Sequence, residues 1–291
     1  MGVAKWCRAG VMSFRGDRLM QTKNLARAVV AAIAVLVMAF SPVAAVTDGE
    51  VDWVNEYSFV GLMVAQDEAG NPLWRCSGTL ISSQLFLTAG HCVEDPAAHV
   101  EIWFDVDVES EIPSNGYPFT GDVGGTPDIH PEYYDAPFYV HDLGIVVLDA
   151  PVYDYGWASV IGLEELDTLG TQRGRQNTSF TAVGYGLQMS FPDAASFQEN
   201  NARIRMISHP DLIQINNGIV GDYSLLLTNN AHTGGTCFGD SGGPNFIYGT
   251  YTIAGVTSFG MNGNCAGTGG VYRIDQADDY SWIQDFLAIY P

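Results

Sequence analysis

The sequence predicts an all-β fold closed by one C-terminal helix, on three observations. Thirty-three of its 291 residues are glycine, which argues for many turns and short strands. Valine, threonine, tyrosine and phenylalanine recur in short runs broken by glycine and proline, the signature of strand, turn and strand. The tail differs: Ile283, Phe286, Leu287 and Tyr290 sit at helical spacing behind Asp278 and Asp279, so one terminal helix is expected there. A hydrophobic content of 47% supplies a real core.

The N-terminal element belongs to no fold. Lys23 and Arg27 precede the unbroken apolar run Ala28 to Phe40, and Ser41-Pro42-Val43-Ala44-Ala45 follows with small residues. A basic start, a short apolar middle and a small-residue exit describe a secretory signal peptide, expected over residues 1–45. An uncleaved membrane anchor is the competing reading, but a span wants ~20 apolar residues. Met20 would be a more ordinary start for such a signal, which makes residues 1–19 an upstream extension. Removing residues 1–45 takes away every lysine and four arginines with one acid, leaving six arginines and 32 acids, a net charge near −26. Such a surface repels nucleic acid and anionic membranes; a salty exterior, resistance to lysine-seeking proteases and plain solubility would all account for it. Cys7 leaves with the leader. Cys76, Cys92, Cys237 and Cys265 remain, with three possible pairings, and without CxxC spacing two disulfides in an oxidising compartment are expected.

From Val46 onward, Tyr57 to Ala65 is an apolar strand, Gly70-Asn71-Pro72 turns the chain, and Thr79 to Leu87 is apolar again. Glu101 to Val108 alternates acidic and apolar residues, a half-exposed strand. Its acids Asp105, Asp107 and Glu109 read as a solvated face; calcium is the alternative, but no metal loop is evident. Leu143 to Leu148 is a buried strand, and Gly156 to Gly174 an inter-lobe crossing. Phe180 to Gly186, Ile204 to Ser208, Ser224 to Thr228, Tyr251 to Phe259 and Gly270 to Ile274 supply a second set of strands. Asn177-Thr178-Ser179 is a glycosylation sequon.

Three strings carry chemistry. In Gly239-Asp240-Ser241-Gly242-Gly243 a serine between glycines can sit on a tight turn where backbone N–H groups converge, and such donors stabilise an oxyanion. The string fits the nucleophile elbow of an α/β-hydrolase, but that fold needs its histidine after the serine. All six histidines, His91, His99, His130, His141, His209 and His232, precede Ser241, so the order His, Asp, Ser remains. Leu87-Thr88-Ala89-Gly90-His91-Cys92 sets a histidine behind an apolar strand. His141-Asp142-Leu143-Gly144-Ile145-Val146-Val147-Leu148 sets an acid at the head of a buried run, where a partly desolvated carboxylate interacts strongly with an imidazolium.

Together these strings, with Ser77-Gly78-Thr79-Leu80-Ile81 ahead of the histidine, resemble the chymotrypsin/trypsin family of secreted serine proteases, in its short bacterial form. The resemblance covers the chain beyond the leader. It implies two six-stranded antiparallel β-barrels with the active site between them, over residues 46–155 and 156–291, the second carrying the C-terminal helix. It implies a serine endopeptidase with Ser241 as nucleophile, His91 as general base and Asp142 orienting it, and Gly239 and Ser241 N–H groups as the oxyanion hole. It implies bridges Cys76–Cys92 and Cys237–Cys265.

In the family a freshly cut N-terminus pairs with the acid before the nucleophile, here Asp240, and Val46 is the matching start, exposed by signal cleavage itself. Gly235 falls at the base of the specificity pocket, with Ser258, Phe259, Gly260 and Gly270 on its walls. No acid awaits a cation there, so a large apolar or aromatic P1 residue is expected rather than arginine or lysine. No cofactor or metal is expected. The expected partners are a protein or peptide substrate and a proteinaceous inhibitor, with no nucleic acid and no stable membrane contact after signal cleavage. A secreted extracellular monomer is expected.

Overall fold

The protein is described by a computed structural model over residues 46–135, 140–170, 178–189, 201–216, 221 and 223–291. The expected leader, residues 1–45, the sequon residue Asn177 and the end of the Gly156 to Gly174 crossing lie outside the described residues. No described helix is long and apolar enough to cross a membrane.

Strand β1 (Glu50–Val51) is followed by β2 (Val60–Gln66), β3 (Pro72–Leu80), β4 (Leu85–Thr88), β5 (His99–Trp103), β6 (Val123–Ile129) and β7 (Gly144–Leu148). Strands β2 to β7 close into a barrel in the order β2-β3-β4-β7-β6-β5. Strand β2 is buried along its whole length, because one face fills the barrel and the other packs under the rest of the chain. Phe86 fills the barrel interior, its ring lying where a side chain at Gly78 or Gly61 would have to go. The apolar run Thr79 to Leu87 is divided between β3 and β4 by a turn at residues 81–84.

The strand expected over Glu101 to Val108 stops at Trp103. Beyond it Phe104 and Val108 are buried, Asp105 is exposed as expected of a solvated face, and two of the acids also hold the chain that follows. Asp107 Oδ1 accepts from Ser110 N at 3.0 Å, and Glu109 pairs with Arg203.

The second lobe contains β8 (Ser159–Val160), β9 (Phe180–Gly184), β10 (Met206–Ser208), β11 (Leu212–Ile215), β12 (Ser224–Asn229), β13 (Pro244–Ile247), β14 (Thr252–Gly260) and β15 (Gly267–Arg273), then a helix over Ala277–Ile289. Its curled sheet runs β1-β10-β9-β13-β14-β15-β12-β11, with β8 beside β14. This is the expected all-β architecture, with one lobe hydrogen-bonded into a full ring and the other a curled half-barrel. The boundary is not at residue 46: β1 pairs antiparallel with β10, so the segment after Val46 belongs to the second lobe's sheet.

A buried arginine ties the lobes together. Arg205 and Asp52 are both fully buried, with Nε donating to Oδ2 at 2.9 Å. Arg205 Nη1 also donates to the carbonyls of Val60 and Phe104 at 3.0 and 2.9 Å and to the Tyr185 hydroxyl oxygen at 3.1 Å. Removing one partner strands a buried charge, typically at about 3–5 kcal/mol. Arg205→Met is therefore expected to lower unfolding free energy by about that amount in urea titrations. Adding Asp52→Asn should recover part of the loss.

Candidate active site

His91 sits in the single turn Gly90–Cys92 that follows β4. Two constraints hold that turn. Cys92 is bonded to Cys76 on β3, and a side chain at Gly90 would lie 2.8 Å from the Tyr133 ring and 3.1 Å from Leu143 N. Asp142 precedes β7 and is fully buried. Its Oδ1 accepts from His91 N at 2.9 Å, and its Oδ2 lies 2.9 Å from His91 Nδ1. Ser258 Oγ, on β14, donates to the same Oδ2 at 2.5 Å. Burial alone disfavours the His91 imidazolium, but the charge of Asp142 and its hydrogen bond outweigh it, so the imidazole's pKa is raised.

The turn carrying Ser241 is shaped by glycine. Gly239 and Gly242 have φ of 97° and 76°, values that favour glycine. A side chain at Gly242 would also collide with Thr88 Oγ1. Strand β3 clamps the turn: Ser77 N donates to Ser241 O and Ser77 Oγ to Gly239 O, both at 2.8 Å. Two residues away on the same strand, the Arg75 guanidinium lies against Gly239.

His91 and Ser241 open onto one cavity of about 500 Å³. Its walls include Thr236, the disulfide Cys237–Cys265, Thr257, Ser258, Phe259 and Gly260, with Phe238 and Asp135 also facing it. Of the expected pocket residues, Ser258, Phe259 and Gly260 line this space. Gly235 does not: a side chain there would run into Asn229, and the cavity wall at this point is Thr236. Gly270 does not line it either, since the Phe259 ring occupies the room its missing side chain leaves. Thr236, Phe238 and Asp135 carried no signal in the sequence, and the bond from Ser258 to Asp142 joins residues 116 apart.

Asp240 is fully buried, accepting from Gly186 N and Cys237 N at 2.8 Å each. Burial pushes its carboxyl up to about 7 despite those donors and the nearby charge of Arg75. Val46 is fully buried against Met206. Next to it, Thr47 O accepts from Gly235 N at 3.1 Å and the Thr47 hydroxyl bonds Asn229. Val46 N is an amide in the uncut chain, and the donors to the Asp240 carboxylate there are Gly186 N and Cys237 N.

The family profile described as Trypsin matches residues 54–283. Brachyurin of Leptuca pugilator is 29% identical over 231 residues, covering 75% of this chain and 90% of that protein. Venom serine protease Bi-VSP of Bombus ignitus is 27% identical over 240 residues, which is 78% of this chain but 62% of that longer protein. These relatives are arthropod rather than bacterial proteins. The solved structure of HL collagenase superposes with a TM-score of 0.63 over 83% of this chain and 98% of its own, at 20% identity, a likeness of fold.

The raised Asp240 carboxyl has a consequence for stability. Its folded value, about 7, lies above the ordinary carboxylate value of about 3.9. Between those two values the folded state binds more protons than the unfolded state, so stability falls as pH rises through that window. For the uncut Ser241→Ala chain, melting curves between pH 4 and 7 should show that fall, on the order of a few kcal/mol. The slope should shrink in the additional variant Asp240→Asn, the remainder coming from other buried carboxyls such as Asp279, which burial raises to about 6.

Proposed function

Since the chain belongs to the trypsin family and is a serine endopeptidase, we propose that Ser241 is its nucleophile, His91 its general base and Asp142 the acid that orients the base. The observation that carries this reading is the Asp142 carboxylate bonded to His91 Nδ1, with His91 and Ser241 sharing one cavity. Ser241 attacks the scissile carbonyl as His91 takes its hydroxyl proton. The Gly239 and Ser241 N–H groups receive the oxyanion; the bonds from Ser77 to the Gly239 and Ser241 carbonyls support a fixed turn around those N–H groups. His91 then protonates the leaving amine, and water hydrolyses the acyl-enzyme. Asp142, held by His91 N and Ser258, keeps the imidazole proton on Nδ1.

A protease acts on protein or peptide, and the side chain this one takes beside the cut is large and apolar or aromatic. The disulfide, Phe259, Gly260 and Thr236 support that choice, since they offer no buried charge to pair with arginine or lysine.

The mature chain begins at Val46 after a secretory leader spanning residues 1–45, and the enzyme is released outside the cell. The two lobes span residues 46–155 and 156–291, apart from the β1 segment noted above. The Val46 ammonium then pairs with Asp240. The burial of Val46, the docking of Thr47 beside Gly235 and the raised Asp240 carboxyl all favour a cation at that point. Such pairing would remove Asp240's share of the pH slope of the uncut chain, and a mature protein that retained the full slope would exclude it.

A fluorophosphonate probe should label the mature protein on Ser241. Ser241→Ala should abolish labelling and cut peptide hydrolysis by at least about 10³-fold; labelling that survived would remove Ser241 from the role. Cleavage of a mixed peptide library should favour phenylalanine, tyrosine or leucine before the cut. Preference for arginine or lysine would refute the pocket assignment and leave the enzyme class standing.

A further inference from the structure

Outside the cavity, the segment leading to Asp142 meets the first turn of the C-terminal helix around His141. The His141 side chain is 9% exposed, and its Nδ1 lies 2.8 Å from Asp279 Oδ1. Asp279 is an acceptor here. Its Oδ2 takes the Tyr272 hydroxyl at 2.9 Å, and its Oδ1 is approached by His130 Nε2 at 3.7 Å. His130 Nδ1 itself accepts from Glu132 N at 3.2 Å, which puts the His130 proton on Nε2. Surrounded by donors, Asp279 assigns the His141 proton to Nδ1 and leaves a lone pair on Nε2.

That lone pair faces two carboxylate oxygens, Glu132 Oε2 at 3.5 Å and Asp278 Oδ2 at 3.7 Å. The other oxygen of Asp278 is already engaged by Asp279 N at 3.1 Å. A lone pair set between two anionic oxygens repels both unless a cation lies among them. The spacing matches a cation better than a proton. A direct charge-assisted N–H···O bond would close to about 2.7–2.9 Å. Two ligands each about 2.0–2.1 Å from one tetrahedral ion stand roughly 3.4 Å apart.

We propose that Glu132, His141 and Asp278 bind one divalent cation of the zinc class, with water completing its coordination. An imidazole nitrogen with two carboxylate oxygens suits zinc and its neighbours, whereas calcium and magnesium take oxygen. Asp279 is the outer carboxylate that fixes the ligand histidine's tautomer. The alternative trio of His130, His141 and Asp279 is no site: the two rings lie 12° from parallel with centroids 4.6 Å apart, so one ion cannot lie in both ring planes. The ion would join residues 132 and 141, the second adjacent to Asp142, to the helix at residue 278. It is separate from the catalytic reading and stands or falls without it.

The test uses metal-stripped Ser241→Ala protein, titrated with zinc chloride by calorimetry and followed by thermal melting. One equivalent should bind, and the melting temperature should rise with free zinc, while calcium chloride does neither. Cobalt(II) at one equivalent should give the visible absorption of a tetrahedral site. Glu132→Gln and Asp278→Asn alter exposed carboxylates, so their metal-free melting should match the parent. Each should weaken zinc affinity tenfold or more, and the double variant should lose the site. Zinc binding unchanged in the double variant, or no saturable binding at one equivalent, overturns the proposal. So does an Nε2–H resonance of His141 that persists through the zinc titration, since the occupant is then a proton.

Discussion

The geometry of the active cleft depends on one buried carboxylate. Asp142 has no contact with solvent, and an anion so placed is tolerable only with its lone pairs occupied. Its donors come from both lobes: the backbone and ring of His91 from the turn after β4, and the hydroxyl of Ser258 from β14. The same bonds that keep the charge buried also fix the imidazole's orientation and hold the two lobes in register at the cleft. Loss of the carboxylate would therefore disturb both the base and the fit between lobes.

The turn around Ser241 is governed by a second buried acid in a different state. Asp142 has three donors, whereas Asp240 has two backbone N–H groups and is pushed up to about 7 by burial. An acid this poorly compensated is an electrostatic demand for a cation, and Val46 is buried against Met206 with its neighbour Thr47 already docked on Gly235. Arg75, lying against Gly239, supplies part of the missing charge. The proposed N-terminal pairing fits this arrangement because the uncut chain leaves the acid short of a partner.

Much of the fold was legible because strands and turns follow from local pattern. The apolar run before Thr88, the buried run from Leu143 and the helical spacing of the tail all correspond to elements of the expected type. The misreadings have a common physical cause. Glu101 to Val108 alternates like a strand, but long-range contacts win after Trp103: Asp107 bridges Ile204 and Glu109 meets Arg203, both distant in sequence. Gly235 and Gly270 were expected around the pocket, yet a glycine declares only that room is missing. Asn229 and the Phe259 ring fill the room beside them.

By itself the sequence determined the reaction class, the identity and order of the three candidate catalytic residues, and the all-β architecture. Those depend on short strings whose chemistry and backbone demands are local, such as a serine between glycines or a histidine pinned beside a cysteine. Only the tertiary structure decided that Ser258 bonds Asp142, that Arg205 pairs with Asp52, that Thr236 rather than Gly235 lines the cavity, and that Glu132, His141 and Asp278 converge. Each of these is a contact between side chains whose separation in the sequence carries no information about their distance in space; barrel closure and helix docking bring them together.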